Sequence, residues 1–376
     1  MRIAMVVAEA SGDNIAANLI CTMKAQNPDV EVSGICGPSM IQQGARAIYK
    51  LDDIASLGVE GLFSRLHKIL KIRRNYVNSL LENPPDVFVG IDAPDFNLKI
   101  EERLRKAGIP TLQYVAPTVW AWRGYRIHKL KRAVSQLLTI YPFEGEMIDR
   151  AGIPYKYIGH PLADQIAARN TASGREKYEL NEDDRVVALL PGSRTNEVKR
   201  LAAIFLQTAT ELLKSEPNLK FIAPFTSDST HTMFENIRRT MNIELPVQVV
   251  VNDSLGVIEA SDIVIAASGT AALESALCGK PVVVSYRVSL MTYWMVKMLS
   301  RTRHYSMLNH FDGGPTIPEF MQHECTVENI SREALKLMSD TGYRNRILEK
   351  FNSVAQQLRC NANQLAAQEI FRLAGQ

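Results

Sequence analysis

No apolar run in this 376-residue chain approaches the ~20 residues that span a bilayer, so any membrane contact is expected to be peripheral. Cysteine is sparse and unpatterned. Cys21, Cys36, Cys278, Cys325 and Cys360 form no Cys-x-x-Cys pair and are odd in number, which argues against a disulfide framework and for a reduced, cytoplasmic protein. The seven histidines are scattered without metal-ligand spacing and no Asp-x-Asp pair occurs, so neither a metal nor another cofactor is expected. The glycines never form a Walker loop. A formal net charge of +3 is too mild to argue for nucleic acid as a partner, so the clustering of basic residues matters more than their sum. Residues 3–7 read as a strand directly behind Met1-Arg2, where no secretory leader is expected.

What is present is the balance of a globular protein, 46% hydrophobic and 22% charged, at a length that favours two domains. Short apolar runs at 3–7, 30–35, 87–91, 112–115, 137–140 and 155–158 alternate with helical periodicity, and the pattern resumes at 186–190, 220–224, 247–251, 263–266 and 281–285. Such alternation predicts α/β domains with parallel sheets and helices on both faces. A polar stretch from 167 to 185 reads as a linker. The expected organisation is an N-terminal domain over 1–165 and a second over 166–345, two Rossmann-like doubly wound sheets facing across a cleft. Residues 346–376 are expected to form a helical arm that crosses back onto the first domain or exchanges with a partner subunit in a homodimer.

In such sheets ligands sit at the strand C-termini. Asp92 follows a strand directly, in Gly90-Ile91-Asp92-Ala93-Pro94-Asp95-Phe96-Asn97. A poorly solvated carboxylate there suits a general base for a sugar hydroxyl; alternatively it only caps the next helix, a task that Asp95 or Asn97 could take instead. His160, in Gly159-His160-Pro161, is a rival base or a hydrogen-bonded hinge residue. Glu9 falls on the same rim. In the second half, Pro191-Gly192-Ser193-Arg194 ends a strand, where Gly192 and Ser193 offer donors and Arg194 can clamp a phosphate. Ser268-Gly269-Thr270 opens a helix behind another strand, a start whose free N–H groups suit a diphosphate. Glu274 lies a turn later, placed to accept from ribose hydroxyls. The plain alternative is an ordinary capped helix.

Two segments join basic and apolar residues. From Gly61 to Arg74, Leu62, Phe63, Leu66, Ile69 and Leu70 recur at helical spacing beside Arg65, Lys68, Lys71, Arg73 and Arg74. This helix either lies on anionic lipid or packs on its own sheet with a solvated basic face. Val119-Trp120-Ala121-Trp122-Arg123 is the second; no nucleic-acid recognition motif accompanies it, and an amphiphilic phosphorylated ligand explains it at least as well. The Met- and aromatic-rich run 290–299 reads as core or, alternatively, as a lipid groove.

Taken in order, Ala8-Glu9-Ala10-Ser11-Gly12-Asp13, residues 90–97, Val119–Arg123, Leu190-Pro191-Gly192-Ser193-Arg194, Ser268–Glu274 and Arg359-Cys360-Asn361-Ala362 closely resemble the lipid-A-disaccharide synthase family across nearly the whole chain. Ala8 departs from the family's usual Gly, and Ala116 and Thr118 from its usual serines. The resemblance implies a GT-B glycosyltransferase joining UDP-2,3-diacylglucosamine to 2,3-diacylglucosamine 1-phosphate, with inversion, to give the β(1→6) disaccharide and UDP. It implies Asp92 as base, Arg194, Ser268, Gly269 and Thr270 on the diphosphate, and Glu274 on the ribose. Glu9 and Asn309 match positions tied to activity, Asn309 with the UDP-binding set. It further implies a site on the cytoplasmic face of the inner membrane, reached through the helix at 61–74. A UDP-N-acetylglucosamine 2-epimerase, or a sugar-nucleotide sensor with no need of Asp92, would share the second-half site.

Overall fold

A computed structural model describes residues 1–55, 62–117, 126–169, 174–267, 269–289, 293–294, 298, 304–311 and 316–375, the side chains of 55 and 62–66 excepted. The chain divides into two compact units, one of Met1–Asp164 with Leu358–Gln376, the other Gln165–Gln357.

The first unit is built on β1 (Arg2–Val6), β2 (Glu31–Cys36), β3 (Arg46–Lys50), β4 (Val87–Ile91), β5 (Thr111–Tyr114), β6 (Gln136–Thr139) and β7 (Tyr155–Tyr157). They form one seven-stranded parallel sheet ordered β3-β2-β1-β4-β5-β6-β7. Every residue of β4, β5 and β6 is buried, as strands covered on both faces require. Its helices are α1 (Ala10–Gln26), α2 (Pro38–Gln42), α3 (Leu51–Ala55), α4 (Leu62–Glu82), α5 (Pro94–Lys106), α6 (Arg126–Ala133), α7 (Gly145–Arg150) and most of α8 (Pro161–Ala167). The strand order reverses between β1 and β4, so their C-termini open the crevice where such sheets bind ligands.

The second unit repeats the plan. Strands β8 (Val186–Leu190), β9 (Lys220–Phe225), β10 (Val247–Val251), β11 (Ile263–Ala267), β12 (Val282–Tyr286) and β13 (Glu319–Met321) give a six-stranded parallel sheet ordered β10-β9-β8-β11-β12-β13. Its switch point lies between β8 and β11. The helices are α9 (Thr195–Ser215), α10 (Asp228–Thr240), α11 (Ser254–Ala260), α12 (Thr270–Leu277), α13 (Val327–Ser339) and α14 (Thr341–Leu358). Edge strands β3 and β13 were not expected, because neither carries an apolar run: β3 alternates exposed and half-buried residues, and β13 has three residues, all half-buried.

The segment 346–376 is split rather than acting as one arm. Most of α14 belongs to the second unit, whereas α15 (Ala362–Leu373) belongs to the first. Asp164 makes the attachment: its carboxylate accepts from the backbone N–H of Asn361 (3.1 Å) and Ala362 (2.6 Å), two of the donors left free at the start of α15. Replacing this cap, Asp164→Ala, is expected to remove about 1–2 kcal/mol of stability. Amide exchange should quicken first across 361–373; unchanged protection there would show that apolar packing alone holds the helix.

Candidate functional site

At the first switch point Val6 pairs with Gly90, so the chain leaves β1 toward Glu9 beside the exit of β4 at Asp92. Glu9 is exposed and extended at the N-cap of α1 (φ −140°), with no side-chain capping bond. Asp92 and Ala93 are both left-handed (φ 54° and 40°), as is Val115 beyond β5 (φ 72°). Each such residue costs about 1 kcal/mol or more, and the three share one rim. The Asp92 turn is held from below: its carbonyl accepts from Asn97 Nδ2 (2.9 Å) and Gln113 Nε2 (3.0 Å), and its N–H donates to the Tyr114 carbonyl (3.0 Å).

The capping expectations at this turn are corrected. Ala93 is the N-cap of α5, Pro94 follows at N1, and no side chain caps the helix. Proline lacks the N–H that a cap would satisfy and is preset for helical φ. Asp95 is instead paired with Arg126 (2.6 Å), and Asn97 turns back to the Asp92 carbonyl. The half-buried Asp92 carboxylate is left without a hydrogen bond or ion pair among the described residues.

His160 differs. Its Nδ1 accepts from the Leu162 N–H (3.2 Å), so the neutral ring carries its proton on Nε2 and keeps no free lone pair in that tautomer. Burial pushes it down to about 4. Its N–H donates to the Leu358 carbonyl (2.9 Å), joining the two places where the chain passes from one unit to the other.

Two other acids of the unit serve backbone amides. Asp13 accepts from Ser39 and Met40 at the start of α2 (2.8 and 3.1 Å), and Glu144 from Ile140 and Tyr141 beyond β6 (3.2 and 3.1 Å). Sequence patterning alone did not find these capping roles, since the partners are distant in sequence or lie in loops.

At the second switch point Leu190 pairs with Ala266, which sets the loop 191–194 beside the start of α12. Gly192 has φ 122°, and a Cβ there would lie 2.4 Å from Glu197 Cβ, so only glycine fits. Glu197 Oε2 accepts from the N–H groups of Ser193 (3.1 Å) and Arg194 (3.2 Å), and its Oε1 accepts from the Tyr286 hydroxyl (3.3 Å). Those two amides therefore shape the loop, leaving the Ser193 hydroxyl and the Arg194 guanidinium as its outward groups. Both residues are exposed, and the Arg194 charge is felt at Tyr286. Because β11 lies between β8 and β12, the Tyr286–Glu197 bond brackets the exit of β11.

Gly269 stands at the N-cap of α12 with φ 133° and nothing within 4 Å of where a Cβ would lie. Gly269 and Thr270 are exposed; Ser268 lies outside the described residues. Glu274 is half-buried with no partner among the described residues, and desolvation raises its pKa. Asn309 is buried in the turn Met307–His310, which packs against α12. Its Oδ1 accepts from Thr316 (2.5 Å) and Ile317 (2.8 Å), and its Nδ2 donates to the Ile317 carbonyl (3.0 Å) and to Glu319. That amide fixes the loop beside α12.

Of the basic helix, Lys68, Leu70, Lys71 and Arg74 are exposed, Leu70 at 40%, and Ile69 is half-buried. Ile72, Tyr76, Val77 and Leu80 form its core face. The side chains of Leu62, Phe63 and Leu66, the segment Val119–Arg123 and most of 290–299 lie outside the described residues; within the last, Trp294 and Met298 are exposed. Among the described residues no helix is long and apolar enough to cross a membrane, and no cluster of His, Cys, Asp and Glu could hold a metal ion.

The family profile described as lipid-A-disaccharide synthetase matches residues 3–370. The lipid-A-disaccharide synthase of Aeromonas hydrophila subsp. hydrophila is 38% identical over 376 residues, spanning 100% of this chain and 99% of that protein. That of Saccharophagus degradans is 39% identical over 372 residues, with 98% and 96% covered. Among solved structures the fold is similar to UDP-GlcNAc 2-epimerase from Neisseria meningitidis bound to UDP-GlcNAc, with a TM-score of 0.67, 14% identity and 99% and 100% coverage. It is also similar to the glycotransferase of kitacinnamycin, with a TM-score of 0.64, 17% identity and 99% and 98% coverage. At those identities the solved structures show the fold alone. The sequence relatives carry more, and on them the chain belongs to the lipid-A-disaccharide synthase family, glycosyltransferases of lipid A biosynthesis with the GT-B fold.

Proposed function

We propose that the enzyme joins UDP-2,3-diacylglucosamine to 2,3-diacylglucosamine 1-phosphate, forming the β(1→6) disaccharide 1-phosphate and UDP with inversion. Asp92 takes the proton of the acceptor 6-hydroxyl as that oxygen bonds to the donor anomeric carbon, and the carbon–oxygen bond to UDP breaks with its electron pair leaving on the diphosphate. Arg194, Ser193, the Ser268–Thr270 helix start and the α12 dipole relieve that charge without a metal. Glu274 receives the ribose hydroxyls. Glu9, on the Asp92 rim, is the second acid available to the acceptor. Both substrates are acylated, and the exposed basic and apolar face of α4 carries the contact with anionic inner-leaflet lipid.

The observation that carries this reading is the Asp92 carboxylate at the first switch point, unengaged among the described residues, in a unit whose Asp13 and Glu144 are tied to backbone amides and whose His160 has no free lone pair. The test is mass-spectrometric product analysis with both acylated glucosamines in detergent, with a chelator present. A tetraacyl disaccharide 1-phosphate appearing with equimolar UDP is expected. Conversion of the UDP-sugar alone would favour an epimerase, and UDP binding without turnover a sensor.

A further inference from the structure

Below the Asp92 turn lies an acid for which the transfer reaction has no use. Glu101 is fully buried on α5, and neither of its carboxyl oxygens has a hydrogen-bond partner. Its neighbours are acceptors as well. A Cβ on Gly90 would come 2.4 Å from Glu101 Oε1 and 2.8 Å from Gln113 Oε1, so both oxygens crowd one point above β4 that only glycine leaves open. Gln113 Nε2 faces the carbonyls of Asp92 (3.0 Å), Tyr114 (3.2 Å) and Val115 (3.3 Å). Asn97 Nδ2 faces those of Asp92 (2.9 Å) and Ile91 (3.4 Å). Flipping either amide would set oxygen against oxygen, so the orientations are fixed. As a result Gln113 Oε1 and Asn97 Oδ1 are buried without a donor.

Two amide oxygens and an ionised carboxylate cannot share a dry site, because each needs a donor and none is present. One proton removes the charge and supplies a donor for one of the two amide oxygens. We propose that Glu101 is a positioning residue, held as the neutral carboxylic acid, whose O–H donates to the Gln113 amide oxygen and so fixes the clamp on the strained Asp92–Ala93 turn. The proposal rests on Asp92 being the general base.

Burial raises Glu101 to about 8 and is the sole cause of the shift. Asp92 lies in the turn before α5, and of the titratable groups on the helices packed against α5, Arg73 on α4 and Arg126 and Arg132 on α6 meet its residues. Arg73 lies 6.0 Å from the centre of the Phe96 ring, Arg126 is paired with Asp95, and Arg132 with Glu102. Above about pH 8 the Glu101 proton passes to solvent, the bond to Gln113 is lost, and a second negative charge appears beneath Asp92.

The test compares pH profiles of kcat for the wild type, Glu101→Gln and Glu101→Leu with the infrared C=O stretch of protonated carboxyl groups. Wild-type kcat should fall with a midpoint near pH 8, and the protonated-carboxyl band should bleach over the same range. Glu101→Leu removes the donor and should lower kcat about tenfold at unchanged donor KM, whereas Glu101→Gln supplies an N–H in the same place and should recover most of that loss, within about threefold of the wild type. The glutamine variant should also lose the Glu101 share of the band, Glu144 being a second acid that burial pushes up to about 8, and should lack the alkaline decline. A band that Glu101→Gln leaves unchanged, or an alkaline decline that persists in that variant, would overturn the proposal. The infrared arm needs no turnover. If Asp92→Asn proved active, the base assignment would fail while the part of the band lost in Glu101→Gln still reported on Glu101.

Discussion

Asp92→Asn is expected to slow disaccharide formation by about a thousandfold with UDP affinity unchanged. Asparagine is the informative replacement because residue 92 is left-handed, at φ 54°. Asn and Asp enter that region readily, whereas alanine adds about 1–2 kcal/mol of strain, so loss in Asp92→Ala mixes chemistry with distortion. Asn97 and Gln113 clamp the backbone carbonyl of residue 92, which the replacement leaves in place. The loss should therefore fall on kcat, with thermal stability and UDP titration near wild type. On the proposed assignment UDP is held by residues of the second unit, without Asp92. A loss smaller than about tenfold would remove Asp92 from the base role and return attention to Glu9.

Much of this was legible in the sequence, and the pattern of success is physical. Strands buried on both faces carry continuous apolar runs, as in Val87-Phe88-Val89-Gly90-Ile91, and those runs place the rims where such sheets bind ligands. Edge strands escaped because half of each is wet: Arg46-Ala47-Ile48-Tyr49-Lys50 carries only a period-two alternation too short to stand out. The cap expectation at Asp95 and Asn97 failed because a left-handed pair followed by proline starts a helix without side-chain help. Backbone handedness at a non-glycine residue leaves no mark in composition.

The supports of the site were less visible than its reacting groups. Glu197 reads as an ordinary first-turn acid, yet it holds both loop amides behind Arg194 and accepts from Tyr286, 89 residues away. Asn309 matched an activity-linked position, but its four side-chain hydrogen bonds go to Thr316, Ile317 and, at the start of β13, Glu319. Glu101 did leave a trace. It falls in the buried stripe Asn97, Leu98, Ile100, Glu101 and Leu104, an acid where a core residue is due, and Gly90 interrupts an otherwise bulky strand. A glycine inside a strand marks close approach of another group.

Arg194→Ala is expected to lower kcat/KM by about a hundredfold or more, through lost stabilisation of the departing diphosphate. Arg194 is the N-cap of a 21-residue helix, where the backbone already favours negative charge, and Glu197 occupies the two nearest amides. The guanidinium must then supply what those amides cannot. Arg194→Lys should recover only part of the loss, because an ammonium is a point charge where the diphosphate offers two oxygens to a planar fork. UDP should bind more weakly to both variants, which separates this position from Asp92. Wild-type UDP affinity in Arg194→Ala would mean that the diphosphate rests on the α12 helix start alone.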